Sequence, residues 1–411
     1  MIFQEYHKTV LPNGLTVISE HISTVRSVSL GGWIKSGSRQ ESREINGVAH
    51  FLEHMMFKGT SHRTPREIVR SVEALGGNIN AFTSKEQTCF YVEVLDEHLS
   101  QAVEVLADIV CHSTFPQAEM EKEREVILDE IQSLEESPDE LILDYFVEHL
   151  FPEHQLGMPI IGTRETVRNI SRDQLIHFYQ QHYRSSNIIV AAAGNVDHQE
   201  LVELCQRYFL FPHRNGVYRT TTPEQSSQGE YVFQKPIQQC HICMGISGVS
   251  FSDPRKYSLL LINTILGTGM GSRLFQNIRE AHGLAYGIFS FVDFYLDGGV
   301  FGTYLATDPK KQHLAIQLLE QEFQKLQKEP LSQEELEEAK SQLKGNLVLA
   351  LESTASRMNR LAMMEIYLGS FLPIDEITQQ IDNITIDEIS QTAQELLDVS
   401  RMLRIIFIPH K

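Results

Sequence analysis

Two imidazoles and a carboxylate share the pentad His50-Phe51-Leu52-Glu53-His54. On a helix, positions i and i+4 lie on one face, so His50 and His54 can reach a single ion together. Glu53 stands three residues after His50 and next to His54, at the rim of that face. From there a carboxylate can take a proton from a water held at the ion without itself becoming a ligand. The order is the inverse of the commoner H-E-x-x-H pattern. In a chain of 411 residues with 17 His and 54 acidic side chains, chance gives such a pentad roughly one time in ten. A catalytic zinc needs three protein ligands, so a third has to come from elsewhere in the chain.

The acid-rich segment 117–136 offers candidates, and helical periodicity separates them. Met120, Glu123, Ile127, Glu130 and Leu134 recur in steps of three or four and form one stripe. Two carboxylates therefore fall on the face that a helix turns inward. A buried carboxylate is costly unless it is paired or binds metal. The pattern marks Glu123 and Glu130.

The elements that must position these groups alternate between strand and helix. Thr9-Val10-Leu11 and Leu15-Thr16-Val17-Ile18 flank the turn signal Pro12-Asn13-Gly14. Ser27–Lys35 reads as a strand, and the helix of His50–His54 follows a Gly/Ser-rich turn. Thr64, Pro65 and Glu67 mark the start of the next helix and Gly76 its end. Asn78–Ser84 reads as a turn leading into a short strand, Phe90–Leu95 as another strand. Helices are expected near Leu99–Val110 and over 117–136. Asn169-Ile170-Ser171 returns in the second half as Asn383-Ile384-Thr385. At almost the same separation, Glu119-Met120-Glu121 returns as Glu335-Leu336-Glu337. A nearly constant offset indicates duplication. Projected by it, the histidine pentad lands near Thr264–Met270, which holds no metal ligand. The reading is a catalytic domain over 1–214, a polar linker over 215–229, and a degenerate copy without metal ligands over 230–411.

Composition narrows the class. The length exceeds one ordinary core, and 42% hydrophobic with 22% charged residues is the mix of a soluble globular chain. The longest apolar stretch, near Ile188–Ala193, is too short to span a membrane, and the first residues show no secretory signal, so a cytoplasmic protein is expected. A formal charge of −19 argues against nucleic acid and anionic membranes as partners. Five cysteines, an odd number in a long chain, imply no disulfide framework. Cys240-His241-Ile242-Cys243 has C-x-x-C spacing, but Gln239–Ile246 reads as a buried strand, on which positions three apart face opposite sides. Gly267–Arg273 is rich in glycine without the spacing of a phosphate loop.

His50–His54 followed by Met55-Met56-Phe57-Lys58-Gly59-Thr60 resembles the pitrilysin/insulinase family of zinc peptidases, above all its mitochondrial-processing-peptidase-like branch and a bacterial processing protease within it. The resemblance covers nearly the whole chain. It implies an α+β fold of two homologous domains, each a mostly antiparallel sheet with helices packed against it. It implies one zinc per chain, held by His50, His54 and a Glu at the family's spacing beyond the second His, which is Glu130. Glu123, two helical turns earlier, matches an acid that supports the site, and Glu53 matches the general base. The segment matching Asn80-Ala81-Phe82-Thr83 is an edge strand in the family, so Asn80, Ala81 and Phe82 are expected to bind substrate backbone by β-augmentation. Arg279 and Tyr286 match, in type and spacing, a pair that holds substrate and donates to the oxyanion.

The implied activity is endopeptidic hydrolysis of short or unfolded peptides enclosed in a chamber. Non-catalytic scaffold relatives lose zinc ligands, whereas this chain keeps all three, and it lacks the long Gly-rich loop of the non-catalytic processing-peptidase subunit. Four-domain relatives, which resemble insulin-degrading enzyme, carry the metal helix in their first domain and the Arg/Tyr pair in their fourth. This chain carries both in two domains. The resemblance thus implies a homodimer with shared active sites or, alternatively, a heterodimer with a related chain.

Overall fold

Asn13-Gly14 closes the first hairpin because Gly14 takes φ +89°, a left-handed conformation that glycine adopts freely. The hairpin joins β1 (Glu5–Val10) to β2 (Thr16–His21) in a computed structural model that describes residues 5–211, 222–223 and 227–410. The sheet is completed by β3 (Ser27–Ile34), β4 (Asn78–Thr83), β5 (Thr88–Leu95) and β6 (Ile188–Gly194), in the order β1-β2-β6-β3-β5-β4. Every neighbouring pair is antiparallel except β2–β6. The apolar run at Ile188–Ala193 is β6, buried along its whole length because both faces of the sheet are covered.

The helices of this half are α1 (Val48–Met56), α2 (Pro65–Glu73), α3 (Leu99–His112), α4 (Gln117–Glu135), α5 (Pro138–Leu150), α6 (Arg164–Asn169), α7 (Arg172–His182) and α8 (His198–Tyr208). All except α5 feed one core, in which Phe51, Leu106, Ile127 and Phe178 meet Leu30, Phe90 and Val92. The start signal of α2 works as read: the Thr64 side chain accepts from the Glu67 N–H, the Glu67 carboxylate reaches back, and Pro65 opens the helix.

The second sheet contains β7 (Gly229–Lys235), β8 (Cys240–Gly248), β9 (Ala285–Phe294), β10 (Gly299–Thr307) and β11 (Leu403–Pro409), in the order β7-β11-β8-β10-β9. That order repeats β2-β6-β3-β5-β4, and the single parallel pair, β7–β11, occupies the place of β2–β6. The helices of this half are α9 (Lys256–Gly267), α10 (Gln312–Lys328), α11 (Gln333–Ala350), α12 (Thr354–Leu368), α13 (Ile374–Asn383) and α14 (Ile386–Leu396). α11, α12 and α14 follow α4, α5 and α7 at the nearly constant offset seen in the sequence. The chain is thus two homologous α+β domains. Cys240 and Cys243 lie buried on β8 as free thiols. Among the described residues, no helix is long and apolar enough to cross a membrane.

The compact units are not two continuous halves. One comprises Met1–Gln132, Met158–Thr220 and Ala350–Pro373; the other comprises Ser133–Gly157, Thr221–Leu349 and Ile374–Lys411. α12 covers the second face of the first sheet, where Met358, Leu361 and Ala362 pack on Ile18, Trp33, Ile189 and Ala191. Arg357 pairs with the buried Glu20 at 2.5 Å there. Reciprocally, Phe146 and Leu150 of α5 pack with Cys243, Tyr304 and Phe407 of the second sheet. A single cut near 215–229 therefore misplaces α5 and α12. The physical reason is that each sheet has a second apolar face, and the exchanged helix is what buries it. Residues 215–221 and 224–226 of the expected linker lie outside the described residues.

Candidate metal centre

α1 starts without a Ser, Thr, Asp or Asn cap; Gly47 occupies that position at φ +95°. A distant side chain does the capping. Glu41 Oε2 accepts from the Gly47 N–H and from Asn46 Nδ2, and Oε1 accepts from the Ala49 N–H, each at 2.8 Å. Burial pushes the Glu41 carboxyl up to about 8, while these three donors pull it down. A Cβ at Gly47 would meet the Ile161 carbonyl oxygen at 2.7 Å, so only glycine fits this start. Sequence reading misses Glu41; its one trace is the absence of a local cap before the pentad.

From this anchored start, α1 presents His50 and His54 one turn apart, ring centroids separated by 4.7 Å. α4 brings Glu130 to both: its Oε2 lies 3.8 Å from His50 Nε2 and 3.6 Å from His54 Nε2. One ligand atom from each of the three falls within 4.8 Å of the others, the only such group among the described residues. Burial, then the neighbouring His54, pushes His50 down to about 3, so its imidazole is neutral with a lone pair to give. Donors bound to a tetrahedral zinc at roughly 2.0–2.2 Å sit roughly 3.4 Å apart. The two distances from Glu130 need only a small contraction to reach that spacing, and two imidazoles with a carboxylate suit that ion.

The α4 stripe differs in one respect from its period. Glu123 is buried, but the Glu130 side chain is 42% exposed, because the buried face also takes in Arg124, Leu128 and Ile131. Glu130 is singled out by its aim at both histidines rather than by burial. Glu123 stands behind His54: its Oε2 is 3.1 Å from His54 Nδ1 and its Oε1 2.7 Å from Lys58 Nζ. A carboxylate there fixes the ring and its tautomer. Lys58 has no signal of its own in the sequence beyond standing four residues after His54.

Glu53 is half-buried beside these groups. Burial raises its carboxyl, opposed by the Thr83 hydroxyl, which donates to Oε2 at 2.5 Å. Thr83 ends β4, and among the described residues β4 pairs only with β5, which leaves its other edge without a strand partner among them. Asn80 and Phe82 point outward and are exposed, while Ile79 and Ala81 pack on the core. The Asn80 side-chain oxygen accepts from the Ala81 N–H at 2.8 Å.

The second domain brings Arg279 and Tyr286 together. Arg279 lies on a π-helical turn, Phe275–Ala281, and its Nη1 donates to the Tyr286 carbonyl oxygen at 2.7 Å. Its guanidinium sits 4.6 Å from the Phe275 ring and 4.9 Å from the Tyr286 ring. Tyr286 is 81% exposed, so it is not a core tyrosine. In the glycine-rich turn, Arg273 is tied to both oxygens of Glu335 at 2.6 and 2.7 Å, a structural role.

Comparison with known proteins agrees with this architecture. Residues 16–164 match the model of the insulinase family, peptidase family M16, and residues 169–343 match the peptidase M16 inactive domain. His50, His54 and Glu130 all fall inside the first match. A Bacillus subtilis protein named an uncharacterized zinc protease is 36% identical over 394 residues, covering 96% of both chains. A Mycobacterium leprae protein of the same description is 37% identical, covering 95% of this chain and 89% of that one. Among solved structures, a protease from Helicobacter pylori superposes with a TM-score of 0.91 at 22% identity, covering 99% of this chain and all of that one. A Pseudomonas fluorescens structure described as a peptidase M16 inactive domain gives 0.93 at 21% identity, covering 99% of each. With both domains matched and close zinc-protease relatives along its whole length, the chain belongs to the insulinase/pitrilysin family, peptidase family M16.

Proposed function

We propose that the chain is a zinc-dependent endopeptidase in which His50, His54 and Glu130 hold one zinc and Glu53 moves the proton. The observation that carries this reading is the convergence of those three donors with a carboxylate on the same helix. Zinc, once bound, supplies a Lewis acid that makes water a nucleophile near neutral pH. Glu53 takes the proton from the attacking water and hands it to the departing amine nitrogen. Glu123 keeps His54 oriented. The free edge of β4 pairs with the peptide backbone through Asn80, Ala81 and Phe82, which selects extended chains over folded ones. Short or unfolded peptides held in a chamber are the substrate class. Arg279 and Tyr286 grip the peptide and donate to the developing oxyanion. The working unit is a homodimer that shares its sites, with a heterodimer of related chains as the other arrangement.

The test is hydrolysis of a fluorescence-quenched peptide before and after metal removal, with zinc content measured alongside. Wild-type turnover is expected to vanish on chelation and return with zinc. Glu130→Gln is expected to lose metal, and Glu53→Gln to keep metal and lose turnover. Normal zinc content in Glu130→Gln would remove it as a ligand, and normal turnover in Glu53→Gln would end the general-base assignment.

A further inference from the structure

We infer that Thr83 is the positioning residue for Glu53, coupling the strand that takes the peptide to the carboxylate that moves the proton. The inference rests on the role proposed for Glu53. Thr83 Oγ1 donates to Glu53 Oε2 at 2.5 Å, and among the described residues it is the sole hydrogen-bond donor to that carboxylate. A glutamate has three rotatable side-chain bonds, and one fixed oxygen removes most of that freedom. With Oε2 occupied, Oε1 is the oxygen left to face a reacting water.

The donor is itself rigid. Thr83 pairs with Thr88 at the end of β4. The turn that follows is closed by Ser84 N–H to the Gln87 carbonyl at 2.8 Å and by the Gln87 N–H to Ser84 Oγ at 3.2 Å. It is also pinned from outside: the Ser38 N–H reaches the Ser84 carbonyl at 3.1 Å, and the Arg39 N–H reaches the Lys85 carbonyl at 2.7 Å. Strand alternation then does the rest. Ile79, Ala81 and Thr83 share the inner face of β4, toward α1, whereas Asn80 and Phe82 share the outer one. A peptide that pairs along the free edge stiffens β4, and β4 ends in the residue that aims the base. A threonine suits this place because its hydroxyl donates while its methyl fixes χ1.

The test compares Thr83→Val, which keeps shape and loses the donor, with Thr83→Ser, which keeps the donor. Thr83→Val is expected to lower kcat by about 10–100-fold, as losing an orienting partner does, with KM, zinc content and Tm unchanged. Thr83→Ser is expected to restore most of kcat. A crystal structure of metal-free Thr83→Val is expected to show the Glu53 carboxylate rotated from its wild-type position. A wild-type kcat in Thr83→Val, an equally inactive Thr83→Ser, an unmoved Glu53, or a loss of zinc or Tm each overturns the inference. Glu53→Gln separates the two ideas. If it stays active, the general-base reading falls and takes this one with it. If it is inactive while Thr83→Val turns over normally, only the Thr83 inference falls.

Discussion

Glu123 and His54 face each other between α4 and α1, with Glu123 Oε2 3.1 Å from His54 Nδ1. A carboxylate in that position accepts the Nδ1 proton, which leaves the Nε2 lone pair for a metal. Lys58 completes the arrangement by holding the other Glu123 oxygen at 2.7 Å. Glu123→Gln is therefore expected to weaken zinc affinity or turnover by about 10–100-fold without abolishing either. Competition against a chromogenic chelator measures the first and peptide hydrolysis the second. Unaltered values in both assays would place Glu123 outside the site's working parts.

Glu41 makes a different kind of contribution, because it acts on the start of the helix rather than on a ligand. Glu41→Ala leaves the Gly47 and Ala49 N–H groups without their acceptor, while the Asn46 amide keeps only the Pro159 carbonyl. Loss of a cap together with unsatisfied buried donors is expected to cost about 2 kcal/mol or more. Zinc affinity is expected to fall with it, since His50 sits in the first turn of α1. Urea unfolding of the metal-free chain and a zinc titration check both. A stability change below about 0.5 kcal/mol, the lower end for cap removal, would show that the Glu41 contacts are incidental.

What the sequence reveals about this site follows from how local each interaction is. The pentad is legible because i and i+4 on one helix is a local rule, and Glu123 and Glu130 because α4 is one uninterrupted helix. The hairpin at Asn13-Gly14 and the capping box at Thr64 are equally local. Glu41, Lys58 and Thr83 act through contacts that no period announces: Thr83 on a strand reaches Glu53 on a helix, and Glu123 on α4 reaches Lys58 just past the end of α1. The duplication shows in the offset, and the shared strand order bears it out. The exchange of α5 and α12 does not show, because each helix carries an apolar stripe that would serve either sheet, and pattern alone does not say which.

His182 gives the fold a pH dependence separate from the candidate metal centre. It ends α7 and is 9% exposed. Burial first, then Arg184 and His177, pushes its imidazole down to about 4, from about 6.5 in an unfolded chain. Between those values the unfolded chain binds a proton that the native one refuses. The contribution is fully present above about pH 6.5 and is lost as pH falls toward about 4, a span of roughly 3 kcal/mol. Urea midpoints of metal-free protein near neutral pH and at about pH 5 are expected to show the loss, and His182→Leu to show a shallower one. His50 titrates in the same direction, so the difference between the two proteins is the readout. An identical slope in His182→Leu would mean that His182 is protonated alike in both states.

The assembly can be tested without a structure of the complex. In the proposed homodimer, Arg279 and Tyr286 of one chain serve the zinc of its partner, so the catalytic groups of one site come from two chains. A Glu53→Gln chain then spoils the site on its own metal helix. An Arg279→Ala/Tyr286→Phe chain spoils the site of the chain it faces. Each variant alone forms dimers in which both sites are defective. In a mixed dimer, one site collects both defects and the other collects none. Mixing the two inactive proteins is therefore expected to restore activity, up to one intact site per mixed dimer. Differently tagged chains and a two-step affinity purification establish that mixed dimers form. Closed two-fold dimers are the commonest soluble assembly, so exchange between homodimers is the natural route to mixing. If purified mixed dimers stay inactive, the Arg279/Tyr286 pair serves its own chain or takes no part. If the double variant is active alone, the pair is dispensable and the argument for shared sites goes with it.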